Sequence, residues 1–150
     1  MNDLVKAYWE AFRRGRPDAV PSEPDDVFAF GNTPEMADDL GALVAGGVKT
    51  ATTSALGAYG PDEPPPRVGG LSVVLGSSGG PLCIIETTEV RVLLFAEVDE
   101  AFAFDEGEGD RSLAYWRREH ERFFGETLPG PFDEKMPVVC ERFRLVWPLP

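Results

Sequence analysis

The sequence predicts one α+β domain built as a small closed β-barrel with helices set into it. Three observations carry this. Stretches of helical apolar period alternate with short β-prone runs. Glycine- and proline-rich turns separate them, and there is neither an internal repeat nor a domain-splitting linker. The length of 150 residues suits a single hydrophobic core. In chain order the elements read helix, strand, helix, loop, three strands, helix, strand. Mostly short antiparallel strands with inserted helices fit such a barrel.

Leu4, Val5, Tyr8, Trp9 and Phe12 recur at helical spacing, predicting a first helix within residues 1–16. Asp3 is its expected N-cap, and Gly15 then Pro17 its stop. Residues 17–26 read as a turn-rich connection, and Val27 to Phe30 as a short strand ended by Gly31 and Asn32. Thr33 caps a second helix with Pro34 and Glu35 in its first turn and Met36, Leu40, Leu43 and Val44 on its apolar face. Gly46 and Gly47 end it. Residues 57–70 form a loop, since Pro64, Pro65 and Pro66 exclude a central strand. It is expected to be a surface linker between strands rather than a lid. Leu71–Leu75 and Pro81–Val90 form a hairpin across GSSGG, and Val90–Phe95 is a further extended run. Leu113, Trp116, His120 and Phe123 or Phe124 predict a helix from about Ser112 to Phe124, ended by Gly125. Val138 to Trp147 is the last strand, closed by Pro148.

The charge balance limits the partners. There are 14 basic and 26 acidic residues, a formal net charge of −12. Long nucleic-acid contacts need clustered Lys and Arg, so the balance argues against them but leaves room for a local basic groove. Any RNA affinity is expected to be weak and to fall steeply with salt. Ten Phe, three Trp and three Tyr are enough to fill a small β-rich core. Cys83 and Cys140 each stand alone in an apolar run and read as buried reduced thiols. One histidine argues against a His-based zinc site. No apolar run reaches about 18 residues, and the N-terminus lacks a signal-peptide core, so a cytoplasmic protein with no membrane partner is expected.

Two stretches carry the candidate chemistry. Gly46 to Ser54 reads GGVKTATTS, with Lys49 beside Thr50, Thr52, Thr53 and Ser54. It lacks the spacing of a phosphate-binding P-loop. If residues 50–54 are extended, Lys49 shares a face with Ala51 and Thr53; if Lys49 sits in the turn before the strand, Thr52 shares its face instead. Sequence alone leaves this open. A lysine beside a hydroxyl lowers the hydroxyl's proton affinity or, if desolvated, accepts its proton; the plainer reading is a solvated lysine before a β-prone threonine run. Asp105 to Trp116 reads DEGEGDRSLAYW, with Asp105, Glu106, Glu108 and Asp110 crowded together. A carboxylate there can orient Lys49 or act as a base. Capping of a helix N-terminus explains Asp110, but not the interleaved Gly107 and Gly109, which suit close backbone approach or positive φ. The cluster lacks calcium-loop spacing, and neither metal nor cofactor is expected.

These two runs, G-x-K-T-x-T and E-G-E-G-D-x-S-L-x-x-W-R-x-x-H, together resemble the ASCH domain family over about residues 28–147. The resemblance implies a single domain over residues 1–150, with a barrel similar to that of PUA RNA-binding domains and a ligand cleft. Some members are amidohydrolases of acylated cytidine that use a lysine, a threonine and a glutamate; others are ribonucleases. Matched by motif, these fall on Lys49, Thr52 and Glu106, with Glu108 as the alternative glutamate. Thr53, Ser54, Glu108, Ser112, Trp116 and Arg117 are the implied substrate-binding positions. Trp116 and Arg117 read equally well as a core residue and a solvated one. Ser54 stands where some members carry a basic residue. The expected function is metal-independent hydrolysis of an acylated pyrimidine nucleoside or similar small amide. The alternatives are a non-catalytic module that binds RNA or a modified nucleotide, and a ribonuclease. The partner is a small nucleoside-like ligand or a short RNA.

Overall fold

The computed structural model describes residues 1–16 and 20–148. Pro17, expected to help stop the first helix, lies outside them. The backbone forms two compact units, one of residues 1–47, 69–86 and 144–150, the other of residues 48–68 and 87–143.

In the first unit, α1 (Asp3–Arg13) is capped by Asn2, whose side chain accepts from the Val5 N–H at 2.8 Å. The cap is thus one residue earlier than expected, and Asp3 instead places its charge in the positive first turn. Val5, Trp9 and Phe12 are buried and pack with Val20, Val73 and Ile84. α2 (Pro34–Ala45) is capped by Thr33, which accepts from the Met36 N–H at 3.1 Å. β1 (Asp26–Phe28) pairs in parallel with β3 (Leu71–Leu75), a parallel element in a chain expected to be mostly antiparallel. β3 runs antiparallel to the start of β4 (Pro81–Leu94), with Leu71 opposite Glu86, and Gly80 O accepts from Gly76 N–H to close the hairpin. β4 is one continuous strand, where the sequence suggested a break near Val90. No glycine or proline interrupts residues 82–94, so nothing turns the chain there.

In the second unit, β2 (Ala51–Ala55) pairs antiparallel with β5 (Pro137–Trp147), placing Thr53 opposite Cys140 and Thr52 opposite Glu141. Two helices follow β4. The first, α3 (Glu100–Glu106), is absent from the sequence reading. Its seven residues span too little chain for a helical period to show. Asp99 caps it by accepting from Phe102 N–H at 2.9 Å. Gly107 ends it at φ +74, where an added Cβ would sit 2.7 Å from the Val48 carbonyl oxygen. Glycine is required there by both conformation and space. The second helix, α4 (Leu113–Thr127), starts at Ser112 as expected but runs through Gly125 to Thr127. A single glycine costs a helix only about 1 kcal/mol, which the burial of Phe124 offsets. Phe95, Phe102, Trp116, Phe124, Val138 and Cys140 form the centre of this unit's core.

Both cysteines are buried free thiols, as the sequence suggested. Burial pushes Cys83 up to about 12 and Cys140 up to about 11, so neither is a ready nucleophile. Among the described residues no helix is long and apolar enough to cross a membrane.

Candidate functional site

The end of α3 and the start of β2 meet within the second unit. The Thr50 N–H donates to Asp105 O at 2.9 Å, and Phe143 N–H donates to Thr50 O at 3.1 Å. These backbone ties fix the segment just ahead of β2 that carries Lys49. Its side chain is 1% exposed and points inward. The ammonium donates to Ala51 O at 2.9 Å, Glu106 Oε1 at 3.1 Å and Glu108 Oε2 at 2.8 Å.

Glu106 is also 1% exposed. Its Oε2 accepts from Thr53 Oγ1 at 2.6 Å and from the Trp116 indole N–H at 2.5 Å. Its Oε1 faces Lys49 and also His120 Nε2, at 3.4 Å. The other imidazole nitrogen, Nδ1, lies 2.8 Å from the Trp116 carbonyl oxygen, and the imidazole stacks on the Trp116 ring at 4.2 Å. One carboxylate thus gathers a lysine, a threonine, a tryptophan and a histidine from two separate parts of the chain, residues 49–53 and 116–120. Among the described residues no buried side-chain nitrogen or oxygen lacks a partner.

The electrostatics follow from this packing. Burial works against the charged form of every group here, and the partners overcome it. For Lys49, the facing Glu106 and Glu108 outweigh burial and raise its pKa. For Glu106, Lys49 and then His120 outweigh burial and hold it well below the usual carboxylate range. For His120, Glu106 outweighs burial and raises the imidazole. Near neutrality the cluster therefore pairs an ammonium with a carboxylate. A lysine so held is a hydrogen-bond donor and a fixed positive charge, not a proton acceptor.

The sequence candidates divide. Lys49, Glu106, Glu108, Thr53 and Trp116 come together in this network. Trp116 is a core residue, and its indole N–H reaches Glu106. Thr52 does not share the face of Thr53. Side chains alternate along β2, with Ala51, Thr53 and Ala55 buried and Thr52 and Ser54 directed to the other side. Ser54 Oγ lies 2.6 Å from the Tyr59 hydroxyl. Ser112 is occupied as the cap of α4, accepting from Tyr115 N–H at 3.1 Å. Arg117 is exposed on α4. Asp105 pairs with Arg142 at 2.5 Å, and Asp110 accepts from Ser112 N–H at 2.9 Å. The sequence places His120 in a helical stripe and at the end of the second run, without assigning it to the site. Its signal lay in its place four residues after Trp116, one turn further along the same helix face.

Glu106, Glu108 and His120 offer ligand atoms within 4.8 Å of one another, a donor set with the chemistry to hold a divalent cation. Lys49 already bonds both carboxylates, however, so the set has its cation in the ammonium. A metal there would have to displace it.

The sequence pattern of the ASCH domain matches residues 26–147. A crystal structure of a protein from Enterococcus faecalis V583 is 37% identical, with 97% of this chain and 94% of that one covered and a TM-score of 0.86. The ASCH domain from Lactobacillus crispatus JV V101 is 32% identical, with 97% and 95% covered and a TM-score of 0.87. A hypothetical protein, PH0355, shares the fold at 14% identity and a TM-score of 0.55. No curated protein matches the chain. The fold is the barrel-like α+β fold of the PUA-like class.

Proposed function

The chain belongs to the ASCH domain family, and from that premise we propose that it is a metal-independent hydrolase of an acylated pyrimidine nucleoside or similar small amide. The observation that supports this is the buried Lys49 ammonium held between Glu106 and Glu108, residues 57 and 59 positions away. Its N–H groups are taken by Ala51 O, Glu106 and Glu108, so its part would be that of a fixed positive charge whose field favours the oxyanion formed when an amide carbonyl is attacked. In the reaction a hydroxyl oxygen adds to the carbonyl carbon, and its proton passes to the amide nitrogen. The C–N bond breaks to release the nucleoside amine, leaving an ester on the enzyme. Water then cleaves that ester, restoring the hydroxyl and releasing the carboxylic acid.

The family likeness puts the attacking hydroxyl on Thr52, although its side chain lies on the face of β2 opposite Thr53, the threonine that meets Glu106. Thr53 is nearly buried and its hydroxyl is committed to Glu106, which suits a supporting part. Hydrolysis and binding of N4-acetylcytidine by wild type, Thr52→Val and Thr53→Val test this. Thr52→Val is expected to abolish turnover with affinity nearly unchanged, because an attacking group is needed at the transition state only. Turnover that survives Thr52→Val removes Thr52 from that role.

A second reading, a module that binds a modified nucleotide or short RNA without turnover, is favoured by one observation. Lys49 and Glu106 are both held in their charged forms, and so neither is poised to move a proton. Binding of N4-acetylcytidine by wild type with no release of cytidine would decide for it. Ribonuclease action draws on the same cleft and is read by cleavage of short RNA in the same panel.

A further inference from the structure

We propose that His120 is a positioning residue of this site: an imidazolium fixed between the Trp116 carbonyl and the Glu106 carboxylate, it is the second cation of a two-cation, two-carboxylate cluster and holds Glu106 in place for the ligand. This rests on the reading of the Lys49 cluster as the ligand site.

The geometry sets the protonation. A carbonyl oxygen only accepts, so Nδ1, at 2.8 Å from Trp116 O, carries a proton. Nε2 lies 3.4 Å from Glu106 Oε1. A neutral ring would turn a lone pair on that oxygen. The alternative, a proton on Glu106 itself, fails because Lys49, Thr53 and Trp116 all donate to the same carboxylate. Both nitrogens therefore carry protons. Stacking on Trp116 at 4.2 Å, with 19° between the planes, adds cation–π attraction and fixes the ring plane.

The groups around the ring come from every element packed there. Glu106 is on α3, Glu108 on the connection after it, and Lys49 on the segment just before β2. Cys140, on β5, feels the Glu106 charge and stays a neutral thiol. With two cations and two carboxylates the cluster has no net charge. Loss of the imidazolium proton leaves it at one net negative charge and frees one side of the Glu106 carboxylate. Glu106 then has room to turn, and the cluster loses its set geometry.

The chain has one histidine, so its imidazole resonances are unambiguous. Titrating them by NMR in wild type is the primary test. The imidazolium is expected to persist above the ordinary value of 6.5, and Glu106→Gln is expected to bring the transition down. Affinity for N4-acetylcytidine is expected to weaken about tenfold per pH unit above that transition. His120→Gln, which keeps an N–H donor but no charge, is expected to remove this pH dependence. A wild-type imidazole that titrates at or below 6.5 overturns the proposal, whether or not any variant folds. A raised imidazole with an affinity that ignores the transition also overturns it. If N4-acetylcytidine binds at no pH while the imidazole titrates as expected, the imidazolium–Glu106 pair stands and the ligand reading fails.

Discussion

Replacing Lys49 with methionine is expected to cost about 3–5 kcal/mol of folding stability. The reason is not the lost attraction alone. Lys49→Met leaves Glu106 as a carboxylate that is 1% exposed, with its strongest cationic partner gone. Glu108 is less affected, since its side chain is 19% exposed and can turn to water. The asymmetry gives a control. The double variant Lys49→Met/Glu106→Gln removes the charge left behind and should recover a good part of the loss, though each change is destabilising alone. Chemical denaturation of the four proteins measures this. A Lys49→Met protein as stable as wild type would mean that the lysine is solvated.

Glu106→Ala is the second large change, of a size comparable to the first or greater. It strips the acceptor from the Thr53 hydroxyl and the Trp116 indole N–H, and the counter-ion from Lys49 and His120. Each buried donor left without a partner costs about 1–3 kcal/mol, more when it is charged. Domains of this kind are stable by only about 5–15 kcal/mol. The pH dependence should also reverse. In wild type the folded pKa values of Lys49 and His120 are raised. Their stabilising effect is complete below their unfolded values and is lost as pH rises through the folded ones. With Glu106 gone, Lys49 keeps Glu108, but burial works against the His120 imidazolium with its main counter-charge removed, and pushes it down. Glu106→Ala should then gain stability as pH rises through the range where His120 loses its proton. Denaturation midpoints across pH read the sign directly. A variant with the wild-type slope would show that Glu106 does not set these charges.

The pairing of Lys49 with the acidic stretch was legible before any coordinates. Two unusual runs, each with glycines where backbone must come close, marked the two sides of the network. Gly107 bears this out, since the close approach of Val48 needs its bare Cα. The α3 helix was not legible because seven residues hold less than two helical repeats. The facing of β2 was not either. Lys49 lies ahead of the strand, yet Thr53 rather than Thr52 joins its network, because the register with β5 sets which residues of β2 face inward. His120 was hidden by its own helix: a residue at core spacing reads as core until the carboxylate beside it is seen. The extension of α4 past Gly125 shows tertiary packing overriding a local stop signal.

The central claim is that the Lys49–Glu106–Glu108 cluster is where ligand binds and reacts. Glu108 allows the cleanest test, because it touches Lys49 yet is partly exposed, so its loss should leave the fold standing. The measurement is release of cytidine and acetate from N4-acetylcytidine by wild type and by Glu108→Gln, with both first shown to be equally folded. Wild-type turnover that Glu108→Gln loses, by about tenfold or more as expected for a displaced charged group at the site, is the predicted result. Equal turnover by the two proteins, or none by wild type on any acylated nucleoside, would contradict it.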